Sequence, residues 1–216
     1  VDPRYGKLLS AIYDDIDCLT GQQTYRQKMT ILISSPNIKV YYHADIPGQT
    51  LWQVRGEKRA YVYPNTAPFL PQPGIERIVL GEAHEISLDY QPWFDDYAEA
   101  VDLQPGRMLH WPLNCPHRID NGNCLNVSFT TEHWTDDLRN AYAVNYANGI
   151  IRRQLGDKPL SQSTAGASFL MKAAIAAFHK KSGMQKKRAA GFKIDFEVDP
   201  AAPGSVRSIA SYEVRK

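Results

Sequence analysis

Apolar residues recur at helical spacing near the start of the chain, at Leu8, Leu9, Ile12, Tyr13 and Ile16, and predict a helix over residues 5–32. From residue 38 the pattern shortens. Residues 38–43 read as a strand, and Pro47-Gly48 marks an irregular step. Thr50–Val54 and Arg59–Tyr63 are rich in β-formers and flank Arg55-Gly56-Glu57-Lys58, which predicts a hairpin. Four prolines between residues 64 and 74 predict an irregular loop. Further short strands are expected around 76–80, 107–111, 117–119 and 124–131, with Asp120-Asn121-Gly122 as a tight turn. Many short strands separated by turns argue for a sandwich or barrel. After Trp134 the period becomes helical again, over 136–153 and 165–181, and a short strand is expected at Phe192–Val198. This divides the chain into a β-rich core with an N-terminal helix, 1–134, and a helical extension with a short strand, 135–216.

At 216 residues and 43% hydrophobic content the chain can bury a sizeable core and is not disordered throughout. No apolar run reaches the roughly 18–20 residues a membrane span needs, so no membrane partner is expected. Cys18, Cys115 and Cys124 form no CxxC pair, and an odd count makes a poor disulfide framework. A reducing cytoplasm is the simpler setting. The net charge of +2 hides an asymmetry: residues 1–150 carry a net −6 and residues 151–216 a net +8. The positive end is concentrated in Lys180, Lys181, Lys186, Lys187, Arg188 and Lys193. A solvated helix end is the plainer reading of that cluster. Contact with nucleic acid is the weaker one, since no aromatic interleaving accompanies it.

The candidate chemistry begins with His43-x-Asp45. On a strand, residues i and i+2 face the same side, so both can reach one ion. His117, about 70 residues later, could supply a third ligand. Two imidazoles and one carboxylate form the facial donor set that suits Fe(II). Otherwise His43 is an ordinary strand histidine and Asp45 a turn residue. A rival zinc set of His110, Cys115 and His117 lacks a fourth partner and a usual zinc spacing. By strand alternation Tyr41 and Leu51 should face the same side as His43 and line its pocket.

The surroundings of these residues carry a resemblance. The run from Tyr42 through Gln53-Val54-Arg55-Gly56-Glu57-Lys58-Arg59 is similar to the JmjC/cupin-like Fe(II)- and 2-oxoglutarate-dependent oxygenases. The nearest likeness is to the branch with the asparaginyl hydroxylase of hypoxia-inducible factor and to bacterial cupin-like proteins. There a His-x-Asp precedes a Gln-Ile-Lys/Arg-Gly-x-Lys-Arg segment, with the lysine 15 residues after the first histidine, as Lys58 stands here. Leu103–Pro112 resembles the family's Pro-Gly-Asp strand, and Cys115–Gly122 its Pro-His-x-x-x-Asn-Gly segment. Arg107 stands where that family has Asp, and His110 where it often has Tyr.

The resemblance implies a mainly β fold with flanking helices, a double-stranded β-helix or jelly roll. It implies iron held by His43, Asp45 and His117, and 2-oxoglutarate anchored by Lys58. Gln49 and Ser128 align with polar positions near the co-substrate, and Tyr41 is placed beside them by alternation. The implied activity is hydroxylation or demethylation of an unidentified small-molecule or protein substrate. Two other classes stay open: a metal-binding cupin-like protein without 2-oxoglutarate chemistry, and a non-catalytic regulatory or interaction protein. The second C-terminal helix is apolar nearly all round, and the relatives pair through C-terminal helices. A homodimer through residues 136–182 is therefore expected.

Overall fold

The computed structural model describes residues 3–184 and 191–215. Helix α1, Pro3–Thr20, turns Tyr13 inward and stops at Gly21, whose φ of 68° an L side chain adopts only with strain. The expected continuation to residue 32 is instead strand β1, Tyr25–Ser34. The β-branched Thr30, Ile31 and Ile33 favour strand there, and the Asp17 carboxylate accepts from the Thr24 N–H and hydroxyl to tie the corner.

The strands that follow are β2 Lys39–His43, β3 Gly48–Arg55, β4 Lys58–Val62, β5 Glu99–Leu103, β6 Met108–His110, β7 His117–Asn121 and β8 Asn126–Trp134. They form two four-stranded antiparallel sheets, ordered β1-β8-β3-β6 and β2-β7-β4-β5. Each sheet is centred on one of the consecutive strands β7 and β8. The sheets bury a common core in which Leu51 of one packs with Ala60, Leu103 and Ile119 of the other, beside Trp111 and Cys115.

The segment expected as a hairpin corrects the sequence reading. β3 and β4 follow one another closely yet belong to different sheets. The connecting Gly56 has φ 76°, and a Cβ there would lie 2.8 Å from both the Asn126 side chain and the Leu125 carbonyl. The bend thus needs glycine for its angle and for its clearance. The stretch expected as a strand at 76–80 is helix α2, Gln72–Val79, opened by Pro73 in its first turn. Ile75, Ile78 and Val79 recur at helical spacing, and five residues were too few to separate that period from two.

Helix α3, Asp136–Leu155, is capped by the Thr135 hydroxyl, which accepts from the Leu138 N–H. Helix α4, Gly166–Lys181, packs against it. With α2 they bury a second core of Leu70, Ile75, Val79, Leu80, Tyr146 and Ala176. Ala44 also belongs to this core and Ile46 packs against it. Alternation therefore sends Ala44 and Ile46 toward the helices and leaves His43 and Asp45 on the other side of the chain.

Lys180 lies over the rings of Tyr142 and Tyr146, 4.1 and 5.0 Å from their centroids, while Lys181 and Lys193 are exposed. Lys186, Lys187 and Arg188 lie outside the described residues. The tail, read from sequence as one strand, is a two-stranded hairpin of β9, Gly191–Val198, and β10, Val206–Arg215. All three cysteines are free, and among the described residues no helix is long and apolar enough to cross a membrane.

Glu76 of α2 is 1% exposed and is met by Arg152 of α3, whose Nε and Nη2 donate to the two carboxylate oxygens at 2.7 and 3.1 Å. Arg152→Ala strands this carboxylate in the helical core. The expected loss is about 3–5 kcal/mol of folding free energy, read from denaturant unfolding.

Candidate metal centre

Two strand registers assemble the site. His43 and His117 are directly opposed residues of β2 and β7, and their ring centroids lie 4.2 Å apart. A register shift between Val40 and His43 interrupts the alternation of β2. Asp45 follows just past the end of β2. The ligating atoms of His43, Asp45 and His117 all lie within 4.8 Å of one another, so one ion could contact all three. Asp45 Oδ2 is 3.3 Å from His117 Nε2, and Oδ1 is 4.0 Å from His43 Nε2.

Both imidazoles are oriented in the same way. The Nδ1–H of His43 donates to the Tyr41 carbonyl at 2.7 Å, and that of His117 donates to the Cys115 carbonyl at 3.1 Å. A carbonyl only accepts, so each Nδ1 carries the proton and each Nε2 offers a lone pair to the shared space. This outer support is what metal-binding histidines need. Asp45 is held twice more. The Asn114 amide donates to its backbone carbonyl at 2.6 Å. The Gln49 side chain, with its amide nitrogen toward the carboxylate, donates to both carboxylate oxygens.

The electrostatics favour a cation. Burial, then the charges of Glu85 and Glu132, push the Asp45 carboxyl up to about 7. Burial, then neighbouring His43, push His117 down to about 3, so its imidazole is neutral and free to bind a metal across the physiological range. Two imidazoles and a carboxylate suit a divalent transition metal and leave coordination positions for exogenous ligands.

The inner faces of the two sheets form layers running away from this triad. Gln49 pairs with Glu132, Leu51 with Thr130 and Gln53 with Ser128 in one sheet. Val62 pairs with His117, Ala60 with Ile119 and Lys58 with Asn121 in the other. Lys58 and Ser128 thus lie in the third layer, where the Lys58 ammonium donates to Ser128 Oγ at 2.7 Å. Lys58 is 5% exposed and, among the described residues, no ion pair joins it to a carboxylate. Burial lowers its pKa. In the same layer Gln53 Oε1 and Asn121 Oδ1 are buried without a hydrogen-bond partner among the described residues.

Tyr41 is a correction: its side chain is 75% exposed, and only its carbonyl serves the site. The interrupted register of β2 defeats the alternation from which an inward Tyr41 was expected. Leu51 is in the core. His110 does not cluster with Cys115 and His117; its Nδ1–H donates to the Gln49 carbonyl at 2.9 Å. Among the described residues the triad is the one cluster of possible metal ligands. Asn114 and Trp111 were not singled out in the sequence. Asn114 stands in a left-handed conformation (φ 58°), and the Trp111 ring centroid lies 4.3 Å from that of His117.

No family model matches the chain, and no curated protein does. Among the solved structures it resembles are cupin superfamily proteins. A cupin superfamily protein from Desulfitobacterium hafniense is 14% identical over 51% of this chain and 70% of that one, with a TM-score of 0.31. An RmlC-like cupin with a double-stranded β-helix fold from Methanocaldococcus jannaschii is 12% identical over 53% and 75%, at 0.33. Hydroquinone 1,2-dioxygenase from Sphingomonas is 6% identical over 53% and 63%, at 0.36. At those identities and scores the likenesses decide neither family nor activity.

In the metal-free chain the Asp45 contribution to stability should fall as pH rises from about 4 to 7, opposed by that of His117, whose lowered pKa makes its contribution rise up to about 6.5. A carboxyl with a raised folded pKa holds more protons folded than unfolded in that window, at a slope of up to about 1.4 kcal/mol per pH unit. Asp45→Asn should remove this contribution, so the two denaturation curves should diverge with pH and the variant be the more stable above pH 7. Parallel curves would show that Asp45 is not a strained buried carboxylate.

Proposed function

We propose that the two sheets form a double-stranded β-helix and that the chain is an Fe(II)- and 2-oxoglutarate-dependent oxygenase. The strand orders β1-β8-β3-β6 and β2-β7-β4-β5, with β7 and β8 central, support the fold reading. The observation that carries the activity is Lys58. A buried ammonium with one neutral hydroxyl partner is costly unless an anion completes it. It faces the same interior as the triad, two layers away.

On this reading His43, Asp45 and His117 would hold the iron, which when bound supplies oxidative chemistry toward a C–H bond. Lys58 and the Ser128 hydroxyl would receive the distal carboxylate of the co-substrate. Gln49 keeps the Asp45 carboxylate oriented and its charge stabilised. Trp111 shields one face of His117 from water. A homodimer through the C-terminal helices belongs to the same proposal, supported by the exposure of Leu170, Met171 and Phe178 on α4. Sedimentation at micromolar concentration tests it, and a single species of about 24 kDa would refute it.

Lys58→Ala is expected to weaken 2-oxoglutarate binding by about 10- to 150-fold, the worth of one charge-assisted contact, while leaving metal affinity unchanged. His43→Ala should abolish metal binding. Anaerobic titration of the iron-loaded chain with 2-oxoglutarate, followed by its charge-transfer absorption, reads both. Metal binding without any 2-oxoglutarate response in the unaltered chain would favour a metal-binding protein of other chemistry.

A further inference from the structure

The hairpin at the end of the chain has two faces of opposite character. Directly paired residues of β9 and β10 share a face, and Val206 lies opposite Val198, Ser208 opposite Phe196 and Tyr212 opposite Ile194. This pairing sets Ile194, Phe196 and Val198 beside Val206, Tyr212 and Val214 on one side. The other side carries Lys193, Asp195, Glu197, Arg207 and Glu213. The apolar side is open: Phe196, Val198, Val206, Tyr212 and Val214 are all exposed, Val198 to 75%. Among the described residues neither strand packs extensively on another element, and the His84 Nε2–H donates to the Gly191 carbonyl at 3.1 Å at the base of the hairpin. A lone two-stranded ribbon is marginally stable in water and needs a helix or further strands against its apolar face.

A second open face lies on α4. Leu170, Met171, Ala174, Ala177 and Phe178 stand at the i, i+1, i+4, i+7 and i+8 positions of one helical face, and all five are exposed, Phe178 to 72%. The opposite face is the buried one, where Ala176 joins the helical core and His179 Nδ1 meets the Tyr146 hydroxyl of α3. The stripe from Leu170 to Phe178 runs about 12 Å at the helical rise. The ribbon from Ile194 to Val198 runs about 13 Å at the strand rise, so the two faces match in length. Within one chain both stay open in the same conformation and do not cover each other. At their exposures the eight large side chains of the two faces leave roughly 900 Å² of surface uncovered, where a standard interface takes about 800 Å² from each partner.

We propose that two copies of this chain exchange their C-terminal hairpins, the apolar face of each β9–β10 ribbon lying on the α4 stripe of the other copy. The proposal rests on the homodimer stated above and specifies the surface that closes it. A contact of α4 with α4 alone would cover the stripe and leave the ribbon bare. A foreign partner would have to present both a helix and a ribbon, whereas a second copy brings one of each. The two contacts are identical and related by a two-fold axis, so the assembly closes at two. A sheet face packed on a helix stripe is a standard way of burying both.

Sedimentation equilibrium of the full chain at micromolar concentration is expected to give about twice the 24.4 kDa chain mass. The ribbon variant Phe196→Lys/Tyr212→Lys and the helix variant Leu170→Lys/Phe178→Lys should each weaken the dimer by at least about a hundredfold, since each loses both copies of the contact. Mixed in equal amounts, the two variants should associate more tightly than either does alone, because the intact ribbon of one meets the intact helix of the other. A ribbon variant as dimeric as the unaltered chain overturns the exchange and leaves a dimer through the helices standing. A helix variant that stays dimeric overturns it in favour of ribbon-to-ribbon pairing, and a mixture that gains nothing overturns it as well. A monomeric unaltered chain overturns both the exchange and the homodimer. The milder pairs Phe196→Ser/Tyr212→Ser and Leu170→Ser/Phe178→Ser replace any lysine variant whose circular dichroism shows it unfolded, with the same outcomes expected.

Discussion

The pairing of His43 with His117 across β2 and β7 is the constraint on which the site depends. Antiparallel neighbours directly opposite one another bring their side chains within contact distance without any loop having to hold them. One step further, Ala44 drops into the helical core, and that anchors the turn carrying Asp45. The triad is therefore as rigid as two sheet strands and a packed helix layer can make it. Its support is largely backbone: both rings lean on carbonyls two residues behind them. A side-chain substitution cannot remove that support without moving the strand.

The interior accepts an unusual polar load in return. Asp45, His117, Lys58, Gln53, Asn121 and Ser128 are buried between two sheets that otherwise pack Leu, Ile, Val and Ala. Two of their atoms, Gln53 Oε1 and Asn121 Oδ1, lack partners among the described residues. Such a core is less stable than an apolar one of the same volume. The helices α2, α3 and α4 compensate by burying a second, mostly apolar core on the other side of the His43–Asp45 segment.

How much of this was legible from sequence follows from the range of each signal. The i, i+2 spacing of His43 and Asp45 is local, and a strand turns it directly into a shared face. Lys58 and His117 were readable through neighbouring motifs. Tyr41 was misjudged because the register shift in β2 is decided by its partner strand and leaves no mark in its own residues. The stretch at 76–80 was too short for helix and strand periods to differ. The split between β3 and β4 was hidden for a related reason. A short glycine-containing link serves a hairpin and a crossing between sheets equally well, and only the pairing of β8 with β3 and of β7 with β4 decides which.

That crossing at Gly56 has a consequence for how the chain is made. Because β3 does not pair with β4, and each sheet waits for β7 or β8 as one of its two middle strands, a ribosome that has released only the first hundred or so residues has produced β1, β2 and β3 without any of their partners. One sheet lacks a middle strand until Asn121 has been made, and the other until synthesis has passed Trp134. Ordering so many distant pairings late makes folding slow and leaves open strand edges exposed meanwhile. For a chain of this topology, the nascent state is the one most in need of a chaperone's cover.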